Sequence, residues 1–368
     1  MKIAILGSRG YPYVYSGYET FVKELAERLV KKGISVTVYC HKNLFDEHPP
    51  IVNGINLVYL PTIEKKSLSQ FIHTFQSMLH AVFQDYDIIL VVNSANGPFG
   101  FISKIFRRKT AINVDGLEWL RPKWKGLGAK YFYWASKLST KFYDVIINDS
   151  YSMADIYKKE FNAESVVIAY GANIRYSKNP ELIQKWNLKK HDYYLVVGRL
   201  IPDNNADIII REFVASNSTK KLVIVGDVPY KDDYAEKIKS TEDDRILFTG
   251  YIKDQDELSE LYHNCFAYIH GHEFGGTNPT MLQALACGCA VIALDTVFTR
   301  EMCDGDKHAL YFNKESGNLK RLIEGVETDD SILKKLRNSS RSRIIENYTW
   351  DKITNQYIEL FNKMLKSS

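Results

Sequence analysis

Short apolar runs rich in β-branched residues alternate with amphipathic stretches along most of the chain. In the first half, the runs predict strands at 2–6, 35–40, 56–60, 88–92, 110–114, 145–148 and 166–169. Residues 19–32 carry apolar side chains at helical spacing, at Phe21, Val22, Leu25, Leu29 and Val30. This alternation of strands and helices predicts an α/β fold with a doubly wound parallel sheet.

A polar segment at 171–192 interrupts this pattern, which then restarts. The second half predicts strands at 193–197, 221–225, 245–249 and 266–269, and helices at 206–215 and 257–262. The apolar run from Met281 to Ala293 is expected to be helical throughout. We therefore predict two Rossmann-like domains, 1–172 and 173–348, that face each other across a cleft. Residues 349–368 are expected to form a last helix that packs back on the first domain.

The composition is typical of a soluble globular protein, with 45% hydrophobic and 25% charged residues. No apolar run approaches the roughly 18 residues that a membrane span requires. The start of the chain, MKIAILG, has the pattern of a first strand rather than of a signal peptide. The five cysteines are scattered and favour buried thiols in a reducing compartment over a disulfide framework. These features predict a cytoplasmic protein.

Positive charge is concentrated between Lys104 and Lys141, where ten Lys and Arg residues are opposed only by Asp115 and Glu118. Aromatic residues are interleaved with them, among them Trp119, Trp124, Tyr131, Phe132, Tyr133 and Trp134. One interpretation is a solvated helix face. The other is peripheral contact with an anionic surface, either the inner face of the plasma membrane or a lipid diphosphate. No nucleic-acid-binding motif accompanies the charge, so a nucleic-acid partner is not expected.

The first predicted strand opens into a long glycine-containing loop, GSRGYPYVYSGYETF. Loops in α/β units usually have about two to six residues, so the length favours a loop that faces a substrate over a structural turn. We assign Arg9, Tyr18 and Glu19 of this segment to the binding of an acceptor substrate.

A second candidate segment, DGLEWLRPKW, follows the strand predicted at 110–114. Asp115 lies at the strand tip, with Glu118, Trp119 and Arg121 close behind. A carboxylate, an indole and a guanidinium suit the hydrogen bonds and ring stacking that bind sugars. The alternative is an ordinary ion pair between Glu118 and Arg121, three residues apart on a helix.

The second half of the chain contains a candidate anion site. Arg199 follows a strand directly after Gly198, where a guanidinium can hold an anion. In HGHEFGGTNPT, Asn278 and Pro279 have the residue types of a helix cap and first helical position. The amides of that helix start and of the preceding Gly275, Gly276 and Thr277 are expected to bind an anion, with Gln283 one turn further on.

Together these segments resemble the GT-B retaining glycosyltransferases of family 4. The closest resemblance lies in residues 250–293, GYI…ELYHNCFAYIHGHEFGGTNPTMLQALACGCAVIA. The segments GSRGYPYVYSGYETFVKEL, NVDGLEWLRPKW, IAYGANI and VVGRLIPDNN are similar, more narrowly, to the bacterial rhamnosyltransferase-type branch of polysaccharide biosynthesis. The resemblance implies a GT-B fold and a reaction that uses a nucleotide-sugar co-substrate, with neither a metal nor another cofactor.

The resemblance also implies roles for individual residues. Arg199 would hold the donor diphosphate, and the loop from Gly275 to Thr280 would bind the phosphates and the donor sugar. Tyr251, within the stretch 250–252, would line the nucleobase. Donor contacts are further implied for Tyr170, Gly171 and the Ser16-Gly17 pair.

Four positions depart from the family pattern. Asn204 stands where the wider family has a lysine, and Asp115 where many members have a histidine. Gly275 and Gln283 occupy the two positions of the family's Glu-x7-Glu pair. We expect Gln283 to contact the ribose and Glu273 to supply the missing carboxylate. Arg199, Asp115 and Glu273 are therefore the predicted catalytic residues.

The narrower resemblance implies transfer of L-rhamnose from dTDP-rhamnose to a lipid-linked or oligosaccharide acceptor in cell-wall or capsule synthesis. Alternatives are a UDP-hexose-dependent transferase of the same fold, a sugar-nucleotide epimerase, and a non-catalytic sugar-binding protein.

Overall fold

The computed structural model describes residues 1–13, 17–63, 68–122, 124, 126–228 and 231–366, so Ser16 lies outside the described residues. The chain forms two compact units. The first contains Met1–Tyr170 and the helix Trp350–Lys366, and the second contains Gly171–Thr349. The boundaries expected from the sequence, after residues 172 and 348, lie within two residues of these positions.

The first unit is built on a sheet of eight strands within the described part of the chain. The strands are β1 (Lys2–Leu6), β2 (Ser35–His41), β3 (Ile51–Val52), β4 (Ile55–Leu60), β5 (Ile88–Val92), β6 (Thr110–Val114), β7 (Val145–Asn148) and β8 (Val166–Val167). Their order is β3-β4-β2-β1-β5-β6-β7-β8, and all neighbours are parallel except β3 and β4. The helices are α1 (Gly17–Lys31), α2 (Leu68–Ala81), α3 (Gly100–Ile105), α4 (Leu127–Phe142) and α5 (Tyr151–Phe161).

The central strands of this sheet follow the predicted pattern because they are covered on both faces. Every residue of β5 and β6 is buried. Strand β5 is a continuous apolar run, as burial on both faces favours, and the two polar side chains of β6, Thr110 and Asn113, are hydrogen-bonded inside the protein. The short β3 was not predicted. It pairs with β4 through a turn at Asn53 and Gly54, whose φ angles of 51° and 78° suit an Asn-Gly hairpin.

Within the described residues, the second unit is built on a parallel sheet of six strands in the order β11-β10-β9-β12-β13-β14. The strands are β9 (Tyr193–Val197), β10 (Lys221–Val225), β11 (Ile246–Gly250), β12 (Ala267–His270), β13 (Val291–Leu294) and β14 (Ala309–Phe312). The helices are α6 (Ala206–Val214), α7 (Asp233–Lys239), α8 (Gln255–Asn264), α9 (Pro279–Cys287), α10 (Val297–Met302), α11 (Asn318–Thr328) and α12 (Ser331–Arg343). The two parallel-sheet units confirm the predicted fold class.

The prediction of one helix from Met281 to Ala293 is wrong. Helix α9 ends at Cys287, because Gly288 adopts a left-handed conformation (φ 84°) that caps the helix. Strand β13 then begins at the β-branched residues Val291 and Ile292.

The last helix, α13 (Trp350–Lys366), belongs to the first unit. Its buried Tyr357 packs on Phe21 of α1, with ring centroids 5.5 Å apart. The Tyr357 hydroxyl accepts a hydrogen bond from Asn113 Nδ2 at 2.8 Å. The first unit is therefore completed by residues that are distant in sequence. None of the helices in the described ranges is both long and apolar enough to cross a bilayer.

Candidate active site

The first candidate cluster surrounds Asp115, directly after the last residue of β6. Tyr170 donates its hydroxyl to one carboxylate oxygen at 2.7 Å, and Tyr18 at the start of α1 donates to the other. Burial raises the pKa of Asp115 and raises the pKa of both tyrosines well above the ordinary value. Both tyrosines therefore act as protonated donors at neutral pH. The structure brings together three of the residues that the sequence singled out.

A further layer of contacts fixes this cluster. The Tyr170 ring stacks on Phe21, with centroids 5.2 Å apart, and its hydroxyl lies 3.4 Å from Asn113 Oδ1. Asn113 is in turn bound to Tyr357 of α13. Neither Asn113 nor Tyr357 was predicted from the sequence to support this site. The two are 244 positions apart, and no local pattern indicates that they meet.

The other site residues predicted in DGLEWLRPKW, Glu118, Trp119 and Arg121, have partners inside the protein. Glu118 receives Arg121 Nη1 at 2.7 Å and the Trp124 indole nitrogen at 2.7 Å. Trp119 meets Tyr133, Tyr157 and Phe161 edge to face. The structure thus shows the ion pair that was the alternative interpretation of Glu118 and Arg121. It also places Trp119 in an aromatic cluster.

The glycine-containing loop after β1 is tied to α1. The Arg9 amide donates to Glu19 Oε1 at 3.3 Å, and Glu19 is buried, with 5% of its surface exposed. Gly17 is the first residue of α1. Of the residues assigned to the acceptor side, Tyr18 reaches Asp115, whereas Arg9 and Glu19 contact each other.

The second candidate cluster is the loop between β12 and α9. Asn278 caps α9, accepting hydrogen bonds from the Thr280 amide at 3.0 Å and the Thr280 hydroxyl at 2.7 Å. Pro279 is the first helical residue, which confirms the predicted helix start. Within the described chain, neither buried glycine, Gly275 or Gly276, donates its amide to a protein acceptor. These free amides and the positive end of α9 have the chemistry that an anion requires, so the predicted anion site stays a prediction at this loop.

Arg199 lies at the same edge of the second sheet. It follows β9, which pairs with β12 in parallel. Its side chain is exposed and forms no ion pair with any described residue. Asn204 donates to the Arg199 carbonyl at 2.8 Å, and its carbonyl oxygen lies 2.8 Å from His272 Nδ1. Asn204 therefore links the turn after β9 to the loop after β12.

Glu273 and Gln283 differ in how their side chains are engaged. The Glu273 carboxylate forms an ion pair with Lys314 at 2.5 Å. Gln283, half-buried on α9, donates to the weak acceptor Cys287 Sγ at 3.4 Å. No residue of the described ranges donates to its carbonyl oxygen. Gln283 is therefore the less engaged of the two and remains able to accept a ligand hydroxyl.

The other predicted donor residues lie in different places. Tyr251 follows the edge strand β11 and is 68% exposed, as an aromatic ring available for stacking must be. Gly171 is the first residue of the second unit. The Tyr170 hydroxyl, assigned to the donor by the resemblance, is instead engaged by Asp115 in the first unit.

His270, the last residue of β12, supports the loop between β12 and α9. The sequence did not predict this role. It is buried, and burial lowers its pKa to about 3, so the ring is neutral. Its Nδ1 lies 3.0 Å from the Tyr268 hydroxyl, which donates to Thr280 Oγ1 at 3.1 Å. This chain of contacts holds the start of α9.

The described ranges contain no group of three or more His, Cys, Asp or Glu side chains arranged to hold a metal ion. The sequence contains Asp-x-Asp segments, a pattern that binds metal in some proteins, among them 254–256 and 85–87. Asp254 has a structural role, since it caps α8, and the Asp85 carboxylate pairs with Lys2 Nζ at 2.7 Å. A reaction without metal remains a prediction from the resemblance.

Two family models match the chain, one in each half. Residues 178–346 match the model described as "Glycosyl transferases group 1". Residues 1–173 match a model described as a domain of unknown function, DUF1972.

Curated relatives are enzymes that transfer sugars. An N-acetylgalactosaminyltransferase of Campylobacter jejuni is 27% identical, in a match that covers 42% of each chain. The O-antigen chain mannosyltransferase C of Escherichia coli is 22% identical over 100% of both chains. The chain thus spans less than half of the first relative and the full length of the second.

Solved structures show the same fold. Sucrose-phosphate synthase from Thermosynechococcus elongatus superposes with a TM-score of 0.83 at 18% identity, covering 100% of both chains. HepE from Anabaena, solved in complex with UDP, has a TM-score of 0.78 at 17% identity and covers 99% of this chain and 100% of its own. The architecture is that of the GT-B glycosyltransferases.

Proposed function

We propose that this chain, a GT-B glycosyltransferase whose residues 178–346 belong to the glycosyl transferases group 1 family, transfers a sugar from a nucleoside diphosphate to a saccharide acceptor in polysaccharide biosynthesis. The observation that carries the proposal is a group of donors in the second unit, unpaired within the described residues. There Arg199, without an ion-pair partner among the described residues, shares a sheet edge with the unpaired amides of Gly275 and Gly276.

This arrangement suits the departure of a nucleoside diphosphate. Cleavage of the sugar–phosphate bond places negative charge on the leaving phosphate oxygens. Arg199 and the glycine amides would stabilise that charge as it develops, and the positive end of α9 adds to their effect. The glycine amides are part of the backbone and Asn278 caps the helix start, so these donors need little reorganisation during the reaction.

Asp115 is the proposed acceptor-side group. It already receives the hydroxyls of Tyr18 and Tyr170, and a carboxylate has further acceptor positions for a substrate hydroxyl. We propose that Asp115 orients the attacking hydroxyl, while the leaving phosphate oxygen takes its proton. Glu273, paired with Lys314, would instead shape the loop.

The donor sugar is proposed as L-rhamnose from dTDP-rhamnose. The support is the resemblance of the segments around Gly17 and Asp115 to the rhamnosyltransferase-type branch. The named relatives transfer other sugars, among them mannose and N-acetylgalactosamine, so a UDP-hexose is the second candidate. A lipid-linked acceptor is proposed because the Campylobacter jejuni relative is named for a diphospho-undecaprenol-linked substrate. Such an acceptor would place the enzyme on the inner face of the plasma membrane.

The test is a transfer assay with dTDP-rhamnose, UDP-glucose, UDP-N-acetylgalactosamine and GDP-mannose against a polyprenyl-diphosphate-linked saccharide. We expect glycosylated lipid and nucleoside diphosphate in equal amounts, with dTDP-rhamnose giving the highest rate. Release of free sugar without an acceptor would indicate an epimerase. Binding of nucleotide without product from any donor would indicate a non-catalytic protein, and either result would contradict the proposal. Addition of EDTA should leave the rate unchanged.

A further inference from the structure

A cavity of about 570 Å³ opens in the first unit at the edge opposite to Asp115. It is lined by residues just before strands β6 and β7, among them Lys109 and Asp144, and by Val166 at the start of β8. Asp115 instead follows the last residue of β6, a strand of five residues. At about 3.3 Å per residue, the two edges are roughly 16 Å apart. The cavity is therefore separate from the candidate active site.

The lining is strongly basic. Five cations contribute to it, Lys104, Arg107, Arg108, Lys109 and Lys363, against the single carboxylate of Asp144. That carboxylate is engaged, since it accepts the Thr110 amide at 2.8 Å and the Thr110 hydroxyl at 3.3 Å. The cavity therefore carries a large excess of positive charge, as a site for a phosphate group requires.

Two of the five cations are the neighbouring arginines Arg107 and Arg108, and one of them lacks a hydrogen-bond acceptor for its Nε among the described residues. Arg108 Nε is buried and has no hydrogen-bond acceptor within the part of the chain that the structure describes. Arg107 is exposed and adopts a left-handed backbone conformation, with φ at 53°. A buried guanidinium nitrogen without an acceptor is unusual in a folded protein, and an oxygen of a bound anion would satisfy it.

Exposed apolar side chains continue from the cavity across α3 and the turn that follows α2. Phe142, which lines the cavity, lies 6.5 Å from the Phe101 ring, and Phe83 lies 4.9 Å from the Phe106 ring. Phe83 and Ile105 are 67% and 69% exposed, and Phe101 and Phe106 are 42% and 41% exposed. Large apolar side chains beside clustered cations are typical of a surface that enters the interface of an anionic bilayer.

We propose that the cavity and this apolar surface, together the "basic face", dock the enzyme on an anionic phospholipid bilayer. The cavity takes the phosphate of a lipid head group, and Phe83, Phe101 and Ile105 enter the acyl boundary. The proposal rests on the proposed function only in that docking brings the enzyme to a membrane-borne acceptor. A second copy is a poorer occupant, because a two-fold interface at this face would bring the same five cations together.

The experiment measures co-sedimentation of the full chain with vesicles, without donor or acceptor. One vesicle is phosphatidylcholine with one third phosphatidylglycerol, and the other is phosphatidylcholine alone. We expect binding only to the anionic vesicle and release at high salt. Each cation near such a surface contributes about a fivefold factor in partitioning, so Arg107→Ser with Lys363→Ser should weaken binding about 25-fold. Phe83→Ser with Ile105→Ser should also weaken it.

The matched control removes the same charge elsewhere. Lys237→Ser with Lys335→Ser changes two exposed lysines of the second unit and should leave vesicle binding unchanged. Equal binding to both vesicles, or wild-type binding by the Arg107 and Lys363 variant, would overturn the proposal. So would stabilisation by inorganic phosphate without vesicle binding, which indicates a soluble ligand. A change in oligomeric state of the Phe83 and Ile105 variant without vesicle binding would indicate a self-interface instead. Donor binding is measured separately, so failure of docking leaves the proposed function standing.

Discussion

Lowering the pH should destabilise the first unit through two buried histidines in contact, His41 and His73. Their ring centroids are 3.9 Å apart, and the residues are only 3% and 0% exposed. Burial, then the neighbouring His73 and Arg9, lowers the pKa of His41 to about 3, and burial lowers that of His73 to about 4. Both rings are therefore neutral in the folded protein at neutral pH.

The direction of the pH effect follows from these lowered values. An unfolded histidine has a pKa near 6.5, so the unfolded chain binds protons that the folded pair excludes. The resulting destabilisation is absent well above pH 6.5 and grows as the pH falls below it. At about 1.4 kcal/mol per pH unit, the change to pH 5 costs about 2 kcal/mol for each histidine, or about 4 kcal/mol for the pair.

The measurement is urea unfolding at pH 7.5 and pH 5, followed by tryptophan fluorescence. Trp186 is the single tryptophan outside the first unit, so a Trp186→Phe background limits the signal to the unit that contains the pair. His73→Phe removes one titrating group and should reduce the loss of stability between the two pH values by about 2 kcal/mol. An equal loss in His73→Phe and its parent would refute the reasoning, because it would show that His73 ionises with an ordinary pKa in the folded protein.

Two further predictions concern the candidate active site. Asp115→Asn should abolish most transfer while donor affinity stays within about twofold. Tyr170→Phe removes one hydrogen bond to the Asp115 carboxylate, of about 1.5–3 kcal/mol, and should lower turnover about tenfold to a hundredfold. Loss of donor affinity in Asp115→Asn, measured by calorimetry, would contradict its acceptor-side role. Gln283→Ala should weaken donor binding by about fivefold to tenfold, and Glu273→Gln should leave it nearly unchanged because Lys314 already engages that carboxylate. The reverse order of effects would assign the ribose contact to Glu273.

The strands that the sequence predicts best are those buried on both faces. The bounds of β5, β6 and β9 agree with the expected ranges, because central parallel strands are apolar along most of their length. Strand β13 was hidden inside a longer apolar run, although Gly288 marked the end of the helix. Strand β3 has two residues, too few for a pattern, and its signal was the Asn53-Gly54 turn.

The candidate sites were located by one rule, that ligands bind at the carboxyl ends of parallel strands. The rule found Asp115, the residue directly after β6, and Arg199, the second residue after the end of β9. The rule does not indicate which side chains meet there. Tyr170 reaches Asp115 across 55 positions and Lys314 reaches Glu273 across 41, and neither pair has a local signature.

The central claim is that Arg199 and the loop before α9 hold the diphosphate of a nucleotide donor. Calorimetric titration of the purified chain with dTDP, UDP and GDP tests it most directly, without knowledge of the acceptor. A hydrogen bond to a charged group contributes about 1.5–3 kcal/mol, so Arg199→Ala should weaken the preferred nucleotide about tenfold to a hundredfold. Arg321→Ala, which removes an exposed arginine from α11, should bind as the wild type does. Wild-type affinity in Arg199→Ala would contradict the account.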